Sequence, residues 1–381
     1  MRRPCGETTD SGRGRRSGAG RRYGAGPTRR HPGAMLDGGS PHNPFMFATL
    51  LGALPQPASE TGGAATDLVV AAIRAQEEAG LEPITDGRLR DPGFDLLVAA
   101  LLRPDGIDDA VTIVLEGWRA AAAATERATK QALPGPYSIG LRAGGSERER
   151  EARTLGLAET LADVVSALAE AGCPLVEIEE SEANRLVDTA EQDLFREAHR
   201  RLTGGGTGSR YGGRRGGQHG RSDGEGGREM HRSLSIVGES VPQAAIDAVL
   251  EAPYASLAVD LIAGPDNWYV VRRAPRERGV VAGVQSAGNV DEAKEVMLWA
   301  AHNTASSAGR GSDRVGIGSA GSWANLTWEA ALRKLNRLGE AARLAGMPLG
   351  EELAQSLDPR AVSARRAAVG HGPPPRPRKR R

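Results

Sequence analysis

Cysteine is nearly absent from this chain, with two in 381 residues, Cys5 and Cys173. That excludes a disulfide framework and a cysteine-rich zinc module, and it fits a reducing compartment, so the cytoplasm is expected. Long apolar runs are missing too. No stretch reaches the eighteen residues a membrane-spanning helix needs. The arginine- and glycine-rich N-terminus has no apolar core of the kind a secretory signal carries. Lysine is equally scarce: Lys130, Lys294, Lys334 and Lys379 stand against 45 arginines.

What is abundant is glycine, at 51 residues, and it is concentrated where the charge is uneven. Residues 1–45 hold nine arginines against three acids, residues 204–228 five against two, and residues 363–381 seven basic groups and no acid. The formal net charge is +1, so the rest of the chain carries about −15. An acidic remainder argues against a nucleic-acid-binding globule, leaving at most weak contacts from the basic tails. The three segments have few apolar residues and no period, and are expected to be disordered. Met35 and Met46 are alternative start points in this reading.

Residues 46–347 remain as the folded part, with an extension and tail over 348–381. Short apolar runs and helical patterns alternate along them. Strands are expected over 47–51, 83–85, 129–133, 175–178, 233–237, 257–262, 280–284 and 314–317. Helical faces lie between them, such as Leu68, Ala71, Ala72, Ala75 and Ala79, stopped by Gly80. Eight strands each followed by a helix predict a single (β/α)8 TIM barrel, whose site sits at the C-terminal strand ends. A small-molecule ligand at that mouth is the expected partner.

One run is more specific than the pattern. Gln76-Glu77-Glu78-Ala79-Gly80-Leu81-Glu82-Pro83-Ile84-Thr85-Asp86-Gly87-Arg88 is a helix end, a glycine stop, a short strand and an acidic loop. It resembles a turn of the cobalamin-independent methionine synthase family, within the uroporphyrinogen decarboxylase/methionine synthase-like superfamily. Leu51-Gly52-Ala53-Leu54-Pro55-Gln56-Pro57, Gly135-Pro136-Tyr137-Ser138-Ile139 and the run from Ala171 to Glu180 are similar to further family segments in the same order. The resemblance covers about 300 residues, the catalytic-type barrel of that family.

The resemblance implies a zinc ion held by histidine, two cysteines and an acid, activating a thiol that takes a methyl group. It puts His231 and Asp260 at ligand positions, with Ser233 and Ala320 where cysteines belong. Two ligands leave the site incomplete, so zinc is not expected and no cofactor is assigned. The family's substrate-holding glutamate is replaced by Arg88, its tryptophan falls near Arg142 and its histidine near Ser286, while Asn289 is kept.

Candidate catalytic residues are therefore Glu179, Glu180 and Asp86, with Glu177 and Glu179 on one side of their strand and Glu180 on the other or in the loop. Arg88, Arg142, Asn289 and Ser319 are candidate ligand contacts. Ser319 belongs to Gly316-Ile317-Gly318-Ser319-Ala320-Gly321, a glycine motif that follows an expected strand. It lacks the acid-bearing second strand of a dinucleotide fold, and is read instead as a cradle for a phosphate or carboxylate. Two functions stay open. One is a methionine-synthase-like methyl or alkyl transferase acting on a small thiol; the other is a non-catalytic barrel that binds a small anion or a partner.

Overall fold

The computed structural model describes residues 46–57, 65–204, 230–288 and 291–347. The tails, the insertion (Gly204 apart) and Asn289 lie outside them. Seven parallel strands form one curled, half-barrel sheet: β1 (Phe47–Thr49), β2 (Lys130–Pro134), β3 (Leu175–Glu180), β4 (His231–Ile236), β5 (Ser256–Asp260), β6 (Gly279–Ser286) and β7 (Val315–Ala320). Their order is β1-β7-β6-β5-β4-β3-β2. The helices are α1 (Ala65–Glu78), α2 (Asp95–Leu101), α3 (Ile107–Ala123), α4 (Pro136–Arg142) and α5 (Glu147–Glu170) in the first half. The second half adds α6 (Thr189–Gly204), α7 (Ile246–Glu251), α8 (Trp268–Arg273), α9 (Lys294–Ser306) and α10 (Trp328–Ala345). Among the described residues no helix is long and apolar enough to cross a membrane.

The strands are apolar toward the helices and small or polar on the other face. Val176 and Ile178, Leu234 and Ile236, and Leu257 and Val259 join the main core. By strand alternation, Glu177 and Glu179, Ser233 and Ser235, and Ser256, Ala258 and Asp260 face the concave side. Leu51, Ala258 and Val281 form a separate small cluster there with Phe47. Helix ends follow the sequence signals. Ser146 and Glu149 make a reciprocal capping box at α5, and Thr327 caps α10 through the Ala330 N–H.

The expected strand over 83–85 is not one. Only Ile84 bridges, to Thr129. Pro83 has no N–H to give to a ladder, and the backbone of Thr85 is taken by a side chain. The Gln76 amide, fully buried on α1, donates to the Thr85 carbonyl at 2.8 Å and accepts from its N–H at 3.1 Å. Segment 82–85 is still tied to both edge strands. The Glu82 N–H donates to the Ala48 carbonyl at 2.9 Å, and Lys130 N–H to the Ile84 carbonyl at 2.8 Å.

The glycine motif is also not a loop. Residues 316–320 are β7 itself, and their glycines make room for β1. A Cβ on Gly316 would lie 2.4 Å from the Phe47 ring, and one on Gly318 would lie 3.1 Å from the Leu51 side chain. Ser319 is fully buried, and its hydroxyl accepts from the Leu51 N–H and donates to the Leu51 carbonyl, both at 2.7 Å. It joins two strand ends. The hydroxyl expected to contact a ligand is thus engaged by the Leu51 backbone.

Candidate functional site at the strand ends

A cavity of about 570 Å3 opens between the loop that follows residue 84, the end of β3 and helices α2 and α4. Its apolar wall is Phe94, Val98, Leu102, Pro134 and Ile139; its polar lining includes Arg88, Arg142, Glu179 and Ser181. The mixture suits a small molecule with an apolar body and a charged group.

Arg88 is the centre of it. The residue is 6% exposed, and its guanidinium pairs with the Glu179 carboxylate at 3.0 Å and lies 4.1 Å from the centre of the Phe94 ring. The backbone that presents these groups is strained. Arg88 and Phe94 both occupy the left-handed region, at φ 50° and 63°. Such residues carry a penalty of about 1–3 kcal/mol each and persist where their surroundings hold them, which is common at ligand sites. Two loop contacts do the holding. The Asp86 carboxylate accepts from the Arg88 N–H at 2.8 Å, and Asp91 accepts from the Leu96 and Leu97 N–H groups in the first turn of α2 at 3.1 and 3.0 Å.

Below the cavity the charges alternate. Glu179 is followed on the same face of β3 by Glu177, which forms a buried ion pair with Lys130 at 2.8 Å. Burial pushes the Glu179 carboxyl above the usual range; Arg88 pulls it back and Glu177 pushes it up further. Several buried polar atoms near this wall have no protein partner, among them Arg88 Nε, Glu177 Oε1 and Ser235 Oγ. Ser235 is the register neighbour of Glu179.

The other candidates are placed differently. Arg142 is at the rim, its side chain 60% exposed, bonded to Glu182 at 2.9 Å and Ser181 at 2.8 Å. Asp86 is half-buried and closes a backbone turn, with burial raising its carboxyl. Glu180, the other candidate on this strand, is on the helix side and fully buried, away from the cavity. It accepts from the Tyr137 and Ser138 N–H groups at 3.1 and 2.8 Å and from the Ser138 hydroxyl. The strand's alternation turns it away from Glu179, into the first turn of α4. His199 Nε2 stands 3.1 Å from the same carboxylate, and His199 Nδ1 is 2.7 Å from the Tyr254 hydroxyl.

His231 and Asp260 are not brought together. His231 opens β4 and bonds the Ser256 hydroxyl at 2.8 Å, with burial lowering its pKa. Asp260 ends β5 at the opposite edge. It accepts from the Ile262, Ala263 and Gly238 N–H groups at 2.8, 2.9 and 3.3 Å, and burial raises its carboxyl. Asp260 does stand near the end of β7: a Cβ on Gly321 would be 3.9 Å from its carboxylate. Register puts Val259 beside Ile236, so the β4 residues level with Asp260 lie beyond 235, not at 231 or 233. Among the described residues no three His, Cys, Asp or Glu side chains gather to hold a metal. The zinc implied by the resemblance does not fit these side chains.

No family model matches the sequence of this chain, and no curated protein does. Solved structures do match its fold. A B12-independent methionine synthase from Shewanella sp. W3-18-1, in complex with selenomethionine, superposes with a TM-score of 0.56 at 13% identity, covering 79% of this chain and 97% of that one. A putative vitamin-B12 independent methionine synthase from Listeria monocytogenes gives 0.54 at 14%, with coverage of 79% and 97%. A methyltransferase from Methanosarcina mazei gives 0.54 at 12%, covering 82% and 96%. The likeness is one of fold. It leaves the activity to the residues of this chain.

Sequence reasoning missed Phe94 and Lys130 as partners in the site. Phe94 had a signal: a lone aromatic between Gly93 and a helix start, in a loop at a strand end. Lys130 had one as well, since it opens a strand in a chain with four lysines.

Proposed function

We propose that this chain is a methyltransferase-like (β/α)8-barrel protein that binds a small organic anion in its mouth. Residues 82–85 would complete the barrel between β1 and β2, an assignment supported by their hydrogen bonds to Ala48 and Lys130. The observation that carries the ligand reading is the buried Arg88 lining the cavity beside its apolar wall. Arginine offers a planar fork to carboxylate or phosphate oxygens. Arg142 adds positive charge at the entrance, and Phe94, Val98 and Ile139 take the apolar body.

Calorimetric titration with sulfate, phosphate and short-chain carboxylates tests this. Arg88→Met keeps much of the side chain's bulk and removes the charge, and is expected to weaken binding about 10- to 100-fold, the ~1.5–3 kcal/mol of hydrogen bonds to a charged group. Equal affinity in the two proteins would contradict it.

A second reading is methyl or alkyl transfer to a small thiol. It rests on the fold shared with the named methionine synthases and methyltransferase and on Glu179 at the cavity, a carboxylate whose raised pKa suits it to take the thiol proton. Turnover of a small thiol with a methyl donor, lost in Glu179→Gln, would favour that reading over binding alone.

A further inference from the structure

Arg88 already holds an anion, and it comes from the protein itself. Glu179 Oε2 takes one nitrogen of the guanidinium, Nη1, at 3.0 Å, and the two side chains are 7% and 12% exposed. Both line the cavity. An incoming oxyanion can reach the fork of Arg88 only by sharing it with Glu179 or by displacing that carboxylate. Displacement has a consequence set by the surroundings. On its own strand Glu179 faces Glu177, a like charge, and from β2 it faces Lys130, which Glu177 already holds at 2.8 Å. From the cavity side the charged groups are Arg88, Arg142 and Asp95, with Arg142 bonded to Glu182 and Ser181 at the rim. The neighbour across the sheet is Ser235, which is neutral.

We propose that Glu179 is a built-in competitor for the Arg88 anion site, and that an oxyanion enters by exchange: the ligand takes the guanidinium and Glu179 takes up one proton from solvent. The balance is simple. One anion and one proton go in, the Arg88–Glu179 ion pair becomes an Arg88–ligand ion pair, and Glu179 ends as a neutral carboxylic acid. This rests on the reading of the mouth as an anion site and adds its regulation and its selectivity. The pair favours ligands with a full negative charge, because a neutral polar group cannot replace a carboxylate on a buried guanidinium. The raised Glu179 carboxyl is consistent with this, since burial and Glu177 already oppose its ionised form.

The sign of the pH dependence follows. A ligand that brings a proton with it binds more tightly at low pH. Affinity falls as pH rises above the pKa of Glu179 in the free protein, by up to tenfold per unit. The fall ends above its pKa in the complex, where displacement leaves two unpaired charges near each other.

The test is calorimetric titration of the full chain with sodium sulfate, an anion that does not itself titrate between pH 5.5 and 8. It is run in two cationic buffers of different ionisation enthalpy, on the parent and on Glu179→Gln. The expected result for the parent is uptake of a fraction approaching one proton per sulfate, with affinity falling as pH rises. In Glu179→Gln the uptake vanishes, the pH dependence flattens and sulfate binds at least tenfold more tightly. Sulfate binding without proton uptake, equal in parent and variant, would overturn the exchange and leave the anion site standing. No binding to either protein would overturn both, because the variant leaves Arg88 without its internal carboxylate. Binding to the variant alone would support the competitor and contradict the parent as an anion receptor. Circular dichroism and the thermal midpoint of Glu179→Gln show that the variant is folded.

Discussion

Glu180→Ala is expected to destabilise the protein by about 3–5 kcal/mol, the range for removing one side of a buried charged network. Glu180 is fully buried and accepts two backbone N–H groups and a hydroxyl from residues 137 and 138. It packs so closely on Gly135 that a Cβ there would fall 2.0 Å from its carboxyl carbon. Alanine would leave all three donors without their acceptor in a buried corner, at about 1–3 kcal/mol for each unsatisfied group before relaxation. The start of α4 would loosen, and with it Ser138, whose hydroxyl also accepts from the Ser181 and Glu182 N–H groups at 2.9 and 3.1 Å. Urea unfolding measures the loss. Glu180→Gln keeps one oxygen acceptor and should lose about half as much. A midpoint unchanged in Glu180→Ala would show that the carboxylate does not organise this corner.

Gln76→Leu is the second large effect, with an expected loss of about 2–4 kcal/mol from two backbone groups left unpaired in the core. Leucine is close in size, so the change isolates the hydrogen bonds. The Thr85 N–H and carbonyl would lose the partner that Gln76 gives them, and Thr85 belongs to no strand ladder. The same segment carries Arg88, so ligand affinity at the mouth should fall with stability. Hydrogen exchange at Thr85 reads the effect locally: protection should drop there and persist at Leu133 on β2. Unchanged exchange at Thr85 would mean that the Gln76 bridge contributes little.

These two residues show what the sequence could and could not reveal. Apolar runs located seven strands to within a few residues, because a strand buried on its helix side must alternate against the core, as Val176, Ile178, Leu234 and Ile236 do. The run at 83–85 has the same apolar look, and nothing in its composition says that a glutamine side chain, not a neighbouring strand, holds its backbone. Glu179 and Glu180 were both visible as acids at a strand end. Which one faces the cavity depends on strand parity, and parity depends on where the strand ends. His231 and Asp260 are separated by register: the histidine opens β4 and Asp260 ends β5, and the pairing of Ile236 with Val259, which no residue pattern displays, keeps them at opposite ends of the two strands. The glycines of 316–321 were legible as glycines, but their purpose, room for Phe47 and Leu51, is a property of packing across strands.

Arg88 stood out in the sequence as a basic residue in an acidic turn, and the structure gives it an apolar cavity, an aromatic neighbour and an internal counter-anion. The central claim is that its guanidinium receives a small anion. Crystals of the protein soaked in sodium selenate test that most directly, through the anomalous scattering of selenium. The account predicts a peak at the cavity with an oxygen within about 3 Å of the Arg88 guanidinium, charge-assisted hydrogen-bond range, and the Glu179 carboxylate moved off it. Selenate found elsewhere, with the Arg88–Glu179 pair intact at every concentration tried, would contradict it.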